Sequence, residues 1–153
     1  LLLEKKRARL AAMPPYSYLL TPGKEIAVRE AGWRITMTPP LPWKGAPSQA
    51  RLADPWQAVF DASALSGTLI VRNFRPGDRL RPLGMIGHKK VHDIFIDRKV
   101  PPERRRLLPL VLVGEEVAWV PGYVRGERAK VTALTRWVCR VAVNPLPEKQ
   151  ELC

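Results

Sequence analysis

The sequence predicts a β-rich α+β domain, on three observations. Short runs rich in β-branched and aromatic residues recur with alternating polarity between clusters of Gly and Pro. One central segment changes to helical spacing, with Val91, Ile94 and Phe95 falling on one face. No internal repeat or low-complexity tract breaks this order, which reads as strands with one central helical insert, hence one or two short helices. With 153 residues and 46% hydrophobic content the chain can bury a core of its own.

In chain order, residues 1–12 favour helix, with Leu3, Arg7 and Leu10 on one side, and Pro14-Pro15 end it. The chain lacks an initiator Met and starts inside a charged, helix-prone run, so it reads as a piece of a longer protein, with residues 1–14 a remnant of a preceding domain or a linker helix. Between Lys24 and Thr38, Ile26 and Val28, then Trp33, Ile35 and Met37, alternate with polar residues across Ala31-Gly32, which predicts an antiparallel hairpin with one buried face. Pro39, Pro40, Pro42 and Pro47 mark a connector expected to be a flexible surface loop. Hairpin and connector make residues 15–67 the first part of the domain.

Ala58 to Asp61 and Thr68 to Arg72 read as strands, the second leading into a loop. A helix is expected from Lys89 to Val100, restarting at Pro101-Pro102-Glu103. Leu110 to Val113 and Val117 to Val120 predict a hairpin around Gly114-Glu115, and Arg136 to Val143 a last strand. Residues 68–143 thus form the main body, and residues 144–153 a frayed tail.

Charge is concentrated. The chain carries 26 Lys and Arg against 14 Asp and Glu, a formal charge of +12 and a pI near 10.4. Between Arg72 and Arg106 there are eleven Lys or Arg and four acids, a local +7. A polyanion is the usual partner of such a surface, since phosphate contacts release condensed counterions. No apolar run approaches the length of a membrane span, so no membrane partner is expected. Two cysteines, Cys139 and Cys153, make no disulfide framework and fit a reducing compartment, the cytoplasm.

The centre of the basic segment is Arg75-Pro76-Gly77-Asp78-Arg79-Leu80-Arg81-Pro82-Leu83-Gly84-Met85. Pro76-Gly77 sets a tight turn, and the Asp78 carboxylate is placed to cap backbone N–H groups and pair with an arginine. Arg75, Arg79 and Arg81 crowd one loop, a repulsion that a phosphate would relieve through charge-assisted hydrogen bonds. Lys89 and Lys90 are expected in the first helical turn, where the dipole also favours anions. His88 and His92 stand at i, i+4, but no third ligand accompanies them, so no metal site is assigned. Asp93 and Asp97 read as ion-paired solubilising carboxylates, and Trp33, Phe95 and Trp119 as core. No phosphate-binding Gly-rich motif, Gly-x-Ser-x-Gly elbow or Cys/His cluster appears. The residues on their own describe a binding module without catalytic groups.

That loop, continued by Lys89-Lys90-Val91, Asp93, Phe95-Ile96-Asp97, Lys99-Val100-Pro101, Leu108-Pro109-Leu110-Val111 and Val117-Ala118-Trp119-Val120-Pro121-Gly122, resembles the C-terminal domain of bacterial tRNA(Ile)-lysidine synthetase. Phe60-Asp61-Ala62-Ser63-Ala64-Leu65 is similar to a short acidic segment that precedes it in that family. The resemblance implies a three-layer α+β domain with a β-sandwich of unusual topology, like one in the β subunit of phenylalanyl-tRNA synthetase. It implies a parent enzyme that uses ATP and magnesium in an N-terminal domain to adenylate the first anticodon cytidine of an isoleucine tRNA, which lysine then attacks. That domain's Ser-Gly-Gly-x-Asp-Ser loop is absent from this sequence, so no cofactor is expected in this chain. For this chain the resemblance implies binding of the tRNA acceptor stem, with Arg75, Arg79, Arg81, Lys89, Lys90, Arg98 and Lys99 as candidate contacts and Pro76, Gly77 and Asp78 shaping the loop. The enzyme's own N-terminal domain is a second expected partner, and a homodimer a third. Two other readings stand beside this one: a scaffold or dimerisation domain whose charge is incidental, and an enzyme in which His88, His92 or Asp93 converge in a pocket.

Overall fold

Residues 15–147 are described by a computed structural model. β1 (Ser17–Leu20), β6 (Leu69–Asn73), β9 (Pro109–Val113), β10 (Glu116–Val120) and β11 (Val124–Arg125) form one antiparallel sheet in the order β1-β6-β9-β10-β11. β2 (Glu25–Val28), β3 (Trp33–Met37), β12 (Trp137–Pro145) and β4 (Leu41–Pro42) form a second, with β5 (Gln57–Asp61) also paired to β12. A two-stranded ribbon of β7 (Arg79–Leu80) and β8 (Lys89–Lys90) runs directly into α1 (Val91–Asp97), and α2 (Pro102–Arg105) follows.

Alternation along β9 shows how the layers arise. All five of its residues are buried, because the strand has a partner layer on each face. Val111 and Val113 meet Ile35, Phe60, Cys139 and Val141 between the two sheets. Leu110 and Leu112 point the other way, onto Val91, Ile94 and Phe95 of α1. The result is the three-layer, β-rich α+β arrangement expected from the sequence.

The Pro-rich connector differs from expectation. It contributes β4 and a 3₁₀ turn at Pro47–Ala50, and Trp43, Ala50 and Leu52 cover Val59, Val131 and Val138. Polar-looking by its prolines, it nonetheless caps an apolar patch that would otherwise face water. The hairpin of β2 and β3 forms as expected, with Ile26 opposite Ile35 and Val28 opposite Trp33. The last strand runs further than expected: Asn144 and Pro145 pair with Arg34 and Trp33, and the Leu146 N–H donates to Gly32. The helix expected for residues 1–12 lies outside the described residues.

One partly buried cation ties the sheets together. Arg125 donates from Nη1 to the carbonyls of Ala118, Gly126 and Arg128 at 3.0, 2.7 and 2.9 Å, and from Nη2 to Val59 and Ala129 at 3.3 and 3.0 Å. Its guanidinium carbon sits 4.1 Å from the centre of the Phe60 ring. Burial pushes its pKa down to about 10, against a smaller opposing pull from Glu127, so the group stays charged at neutral pH. Because the folded value lies below the unfolded one, the cost of burying the charge is constant at neutral pH and fades only as pH rises past about 10. Removing the side chain strands carbonyls from both sheets. Arg125→Ala is expected to lower stability by about 3 kcal/mol or more, and Arg125→Lys to recover little, since an ammonium cannot fork to five acceptors. Urea denaturation of the two variants tests this; a Lys variant as stable as the parent would show that charge rather than geometry matters.

Candidate nucleic-acid interface

The basic loop hangs on a bidentate ion pair. Arg72 lies on the α1-facing side of β6, in line with Ile70, and is only 8% exposed. Its Nη1 and Nη2 donate to the two Asp78 carboxylate oxygens at 2.9 and 2.8 Å, and Nη1 also reaches the Asn73 carbonyl at 3.1 Å. The same carboxylate accepts the Arg75 N–H at 2.7 Å, while the Asp78 N–H closes the turn on the Arg75 carbonyl at 3.1 Å. Gly77, at φ +93°, supplies the left-handed residue after Pro76. The Asp78 carbonyl accepts the Val91 N–H at 2.9 Å, so the turn also anchors the start of α1. Asp78 has the capping and pairing role read from the sequence. Its partner is Arg72, one of the basic residues that sequence reasoning did not single out. The available signal was a charge inside an apolar strand, which must be paired if the strand is buried.

Lys89 and Lys90 do not lie in the first turn of the helix. Their backbone pairs with β7, placing Leu80 opposite Lys89 and Arg79 opposite Lys90, and α1 begins at Val91. The helical spacing of Val91, Ile94 and Phe95 is real, but it begins one residue after the two lysines. Strand pairing brings Arg79 and Lys90 into direct opposition, a like-charge pair that costs stability in the free protein. Arg75, Arg79, Arg81 and Lys90 are exposed on this ribbon and its flanking turn. Arg81 approaches Glu116 at 3.4 Å, and Lys89 binds Asp97.

Arg98 and Lys99 stand at the other end of α1. Arg98 caps the helix and makes one long contact, 3.5 Å, to the Tyr123 carbonyl. Lys99 adopts φ +55°, donating its N–H to Ile96 at 3.0 Å while Val100 donates to Phe95 at 2.9 Å. This is a Schellman ending with its hydrophobic contact between Val100 and Phe95, and Lys99 occupies the position where glycine is favoured. Arg75, Arg79, Lys90 and Lys99 make no ion pair among the described residues.

The histidines do not form a helical pair, because His88 precedes β8 and only His92 is on α1. His88 and Arg79 line a shallow groove of about 600 Å³ together with Glu115, Glu116 and Arg128; His92 and Asp93 lie outside it. Among the described residues no group of three His, Cys, Asp or Glu is placed to hold a metal. No helix among the described residues is long and apolar enough to cross a membrane.

Losing Asp78 leaves the Arg72 guanidinium buried without its partner. Asp78→Ala is therefore expected to destabilise by about 3 kcal/mol, more than a surface cap would. Adding Arg72→Met to that variant should restore part of the loss. Thermal unfolding of the single and double variants checks the coupling; simple additivity would mean that the pair does not hold the loop.

Comparison with known proteins adds to this geometry. A model of the family described as TilS substrate C-terminal domain matches residues 69–141. The chain is 40% identical over 130 residues to the tRNA(Ile)-lysidine synthase of Geobacter sulfurreducens, covering 85% of this chain and 25% of the relative. It is 48% identical over 99 residues to that of Symbiobacterium thermophilum, covering 65% of this chain and 20% of the relative. The chain thus spans a quarter or less of the length of these two relatives. A solved structure described as the crystal structure of a TilS C-terminal domain superposes with a TM-score of 0.75 at 23% identity, over 88% of this chain and 99% of that one. By matched segment, relatives and shared fold, residues 69–141 of this chain belong to the family of TilS C-terminal domains.

Proposed function

We propose that this chain is the tRNA-binding part of a tRNA(Ile)-lysidine synthase, holding the acceptor stem while a separate N-terminal domain ligates lysine to the first anticodon cytidine. In that reading ATP and magnesium serve the N-terminal domain, the chain presented here carries no catalytic group, and the enzyme works in the cytoplasm. The contacts are Arg75, Arg79, Arg81, Lys89, Lys90, Arg98 and Lys99. One observation carries the reading. Arg79 and Lys90 face each other across a ribbon, and the acid next to Arg79 in sequence, Asp78, is engaged by Arg72 and the Arg75 N–H. The unfavourable charge opposition is relieved when a phosphate sits between the two side chains.

Binding of tRNA to the chain should weaken steeply with salt, log K falling by roughly 0.7–0.9 per phosphate contact for each decade of salt. Arg79→Ala with Lys90→Ala should lower that slope by roughly 1.5. Within the full enzyme the same pair should reduce kcat/KM on whole tRNA by roughly tenfold, while an anticodon stem-loop, which never reaches this domain, is unaffected. Equal losses on both substrates would assign the pair to folding or catalysis. No loss on either would leave a solvated face and favour the scaffold reading.

Lys99 gives a separate check. A lysine held at φ +55° is strained relative to glycine, so Lys99→Gly should raise stability by up to about 1 kcal/mol while weakening tRNA binding. Thermal unfolding and a binding titration on one protein preparation measure both. A variant that gained stability and kept full affinity would remove Lys99 from the interface.

A further inference from the structure

Beside the basic ribbon lies a groove of about 920 Å³. It is lined by residues of the Pro47–Ala50 turn, Arg51, Leu83, Met85, Arg98 at the end of α1, and Tyr123. Its size suits a single drug-sized ligand, the bulk of a nucleotide or two, and is far too small for a duplex.

The charges within it do not cancel. Three acids line the groove, and each is already engaged. Asp97 binds Lys89, Glu127 binds Lys130 and the Gly84 N–H, and Asp54 accepts the Trp56 N–H and the Gln57 amide. Arg125 is directed at backbone carbonyls. That leaves two guanidiniums without an acidic partner. Arg51 is exposed and its guanidinium makes no hydrogen bond or ion pair among the described residues, with Nη2 lying 3.5 Å from where a Cβ on Gly84 would stand. Among the described residues the Arg98 guanidinium makes only its long contact to the Tyr123 carbonyl.

The rest of the lining is apolar or aromatic. Tyr123 is half-buried, its ring held edge-on by Trp56 and Phe95 at centroid distances of 6.2 and 6.5 Å. Leu83 is fixed by its N–H on the Arg125 carbonyl at 2.9 Å, and Met85 by its N–H on the Pro82 carbonyl at 3.1 Å, yet Met85 is 60% exposed. Fixed apolar and aromatic surface with unmatched arginines at the rim is the chemistry that takes unpaired nucleotides, bases against the wall and phosphates on the cations.

Resting on the tRNA reading above, we infer that this groove receives the single-stranded 3′ end that continues from the acceptor duplex, with Arg51 and Arg98 on its phosphates and Tyr123, Leu83 and Met85 against its bases. Lys89 and Arg98 belong to both surfaces, so the duplex face and the groove are continuous. The groove adds affinity only for RNA with an unpaired end.

Two acceptor-stem hairpins test this, one blunt and one carrying a short unpaired 3′ overhang, each titrated with the whole chain and with Arg51→Ala and Ser48→Trp. Ser48 is an exposed residue of the groove lining that is not among the proposed duplex contacts, and tryptophan there narrows the groove. The overhang should bind roughly tenfold tighter than the blunt hairpin, toward the lower end of what stacking contributes per base. Both variants should lose most of that advantage and leave blunt binding unchanged. Equal affinity of the wild type for the two hairpins overturns the inference while leaving the duplex reading intact. So does an advantage that survives both variants, or an equal loss on both hairpins. If neither hairpin binds, the tRNA reading itself falls and takes the groove with it.

Discussion

A single guanidinium, that of Arg125, is the constraint around which the two sheets are arranged. It reaches carbonyls on β5 and β10 and on the segment 126–129, and it lies over Phe60 in the space between the sheets. No aliphatic side chain of similar volume could satisfy acceptors from so many strands. The backbone of the same residue accepts the Leu83 N–H, so the loop between the ribbon strands takes its position from the same point. Core and candidate interface therefore share one anchor.

Cations in this domain divide by role. Arg72 and Arg125 are structural: both are largely buried, both are saturated with acceptors, and neither is available to a ligand. Arg81, Lys89, Arg128 and Lys130 hold surface carboxylates and contribute little to stability individually. Arg75, Arg79, Lys90 and Lys99, with Arg51 across the groove, remain without an acidic partner among the described residues. A high pI alone cannot make this division. It follows from which strand face each residue occupies and from where the acids fall.

Much of this was legible in the sequence because it is local. The hairpin of β2 and β3, the strands β5, β6, β9 and β10, and the role of Asp78 follow from alternation and turn chemistry within a few residues. β1, β7, β8 and β11 were not, since each is two to four residues long and is defined by a distant partner rather than by its own pattern. The lysines of β8 were drawn into the helix for the same reason: helical spacing begins at Val91, and nothing local marks that the preceding two residues pair with Arg79 and Leu80. The connector illustrates the reverse error, its prolines suggesting freedom where Trp43 and Leu52 are held against Val59 and Val138. Arg51 had no signal at all, because its significance comes only from the loop and helix end brought opposite to it.

The placement of β12 bears on how the chain comes to be folded at all. β3, β4 and β5 all pair with it, and the Arg140 N–H bonds the Thr38 hydroxyl across 102 positions of sequence. During synthesis the β2–β3 hairpin and β5 emerge long before the strand that joins them. One edge of β3 and all of β5 must wait for their partner while β6, β9 and β10, nearer neighbours in sequence, can assemble first. Such non-local closure is slow, because a long loop must be ordered before its contacts form. A ribosome-bound chain halted ahead of Trp137 would expose Ile35, Met37 and Phe60 along open strand edges, the kind of surface that chaperones bind and that neighbouring chains pair with.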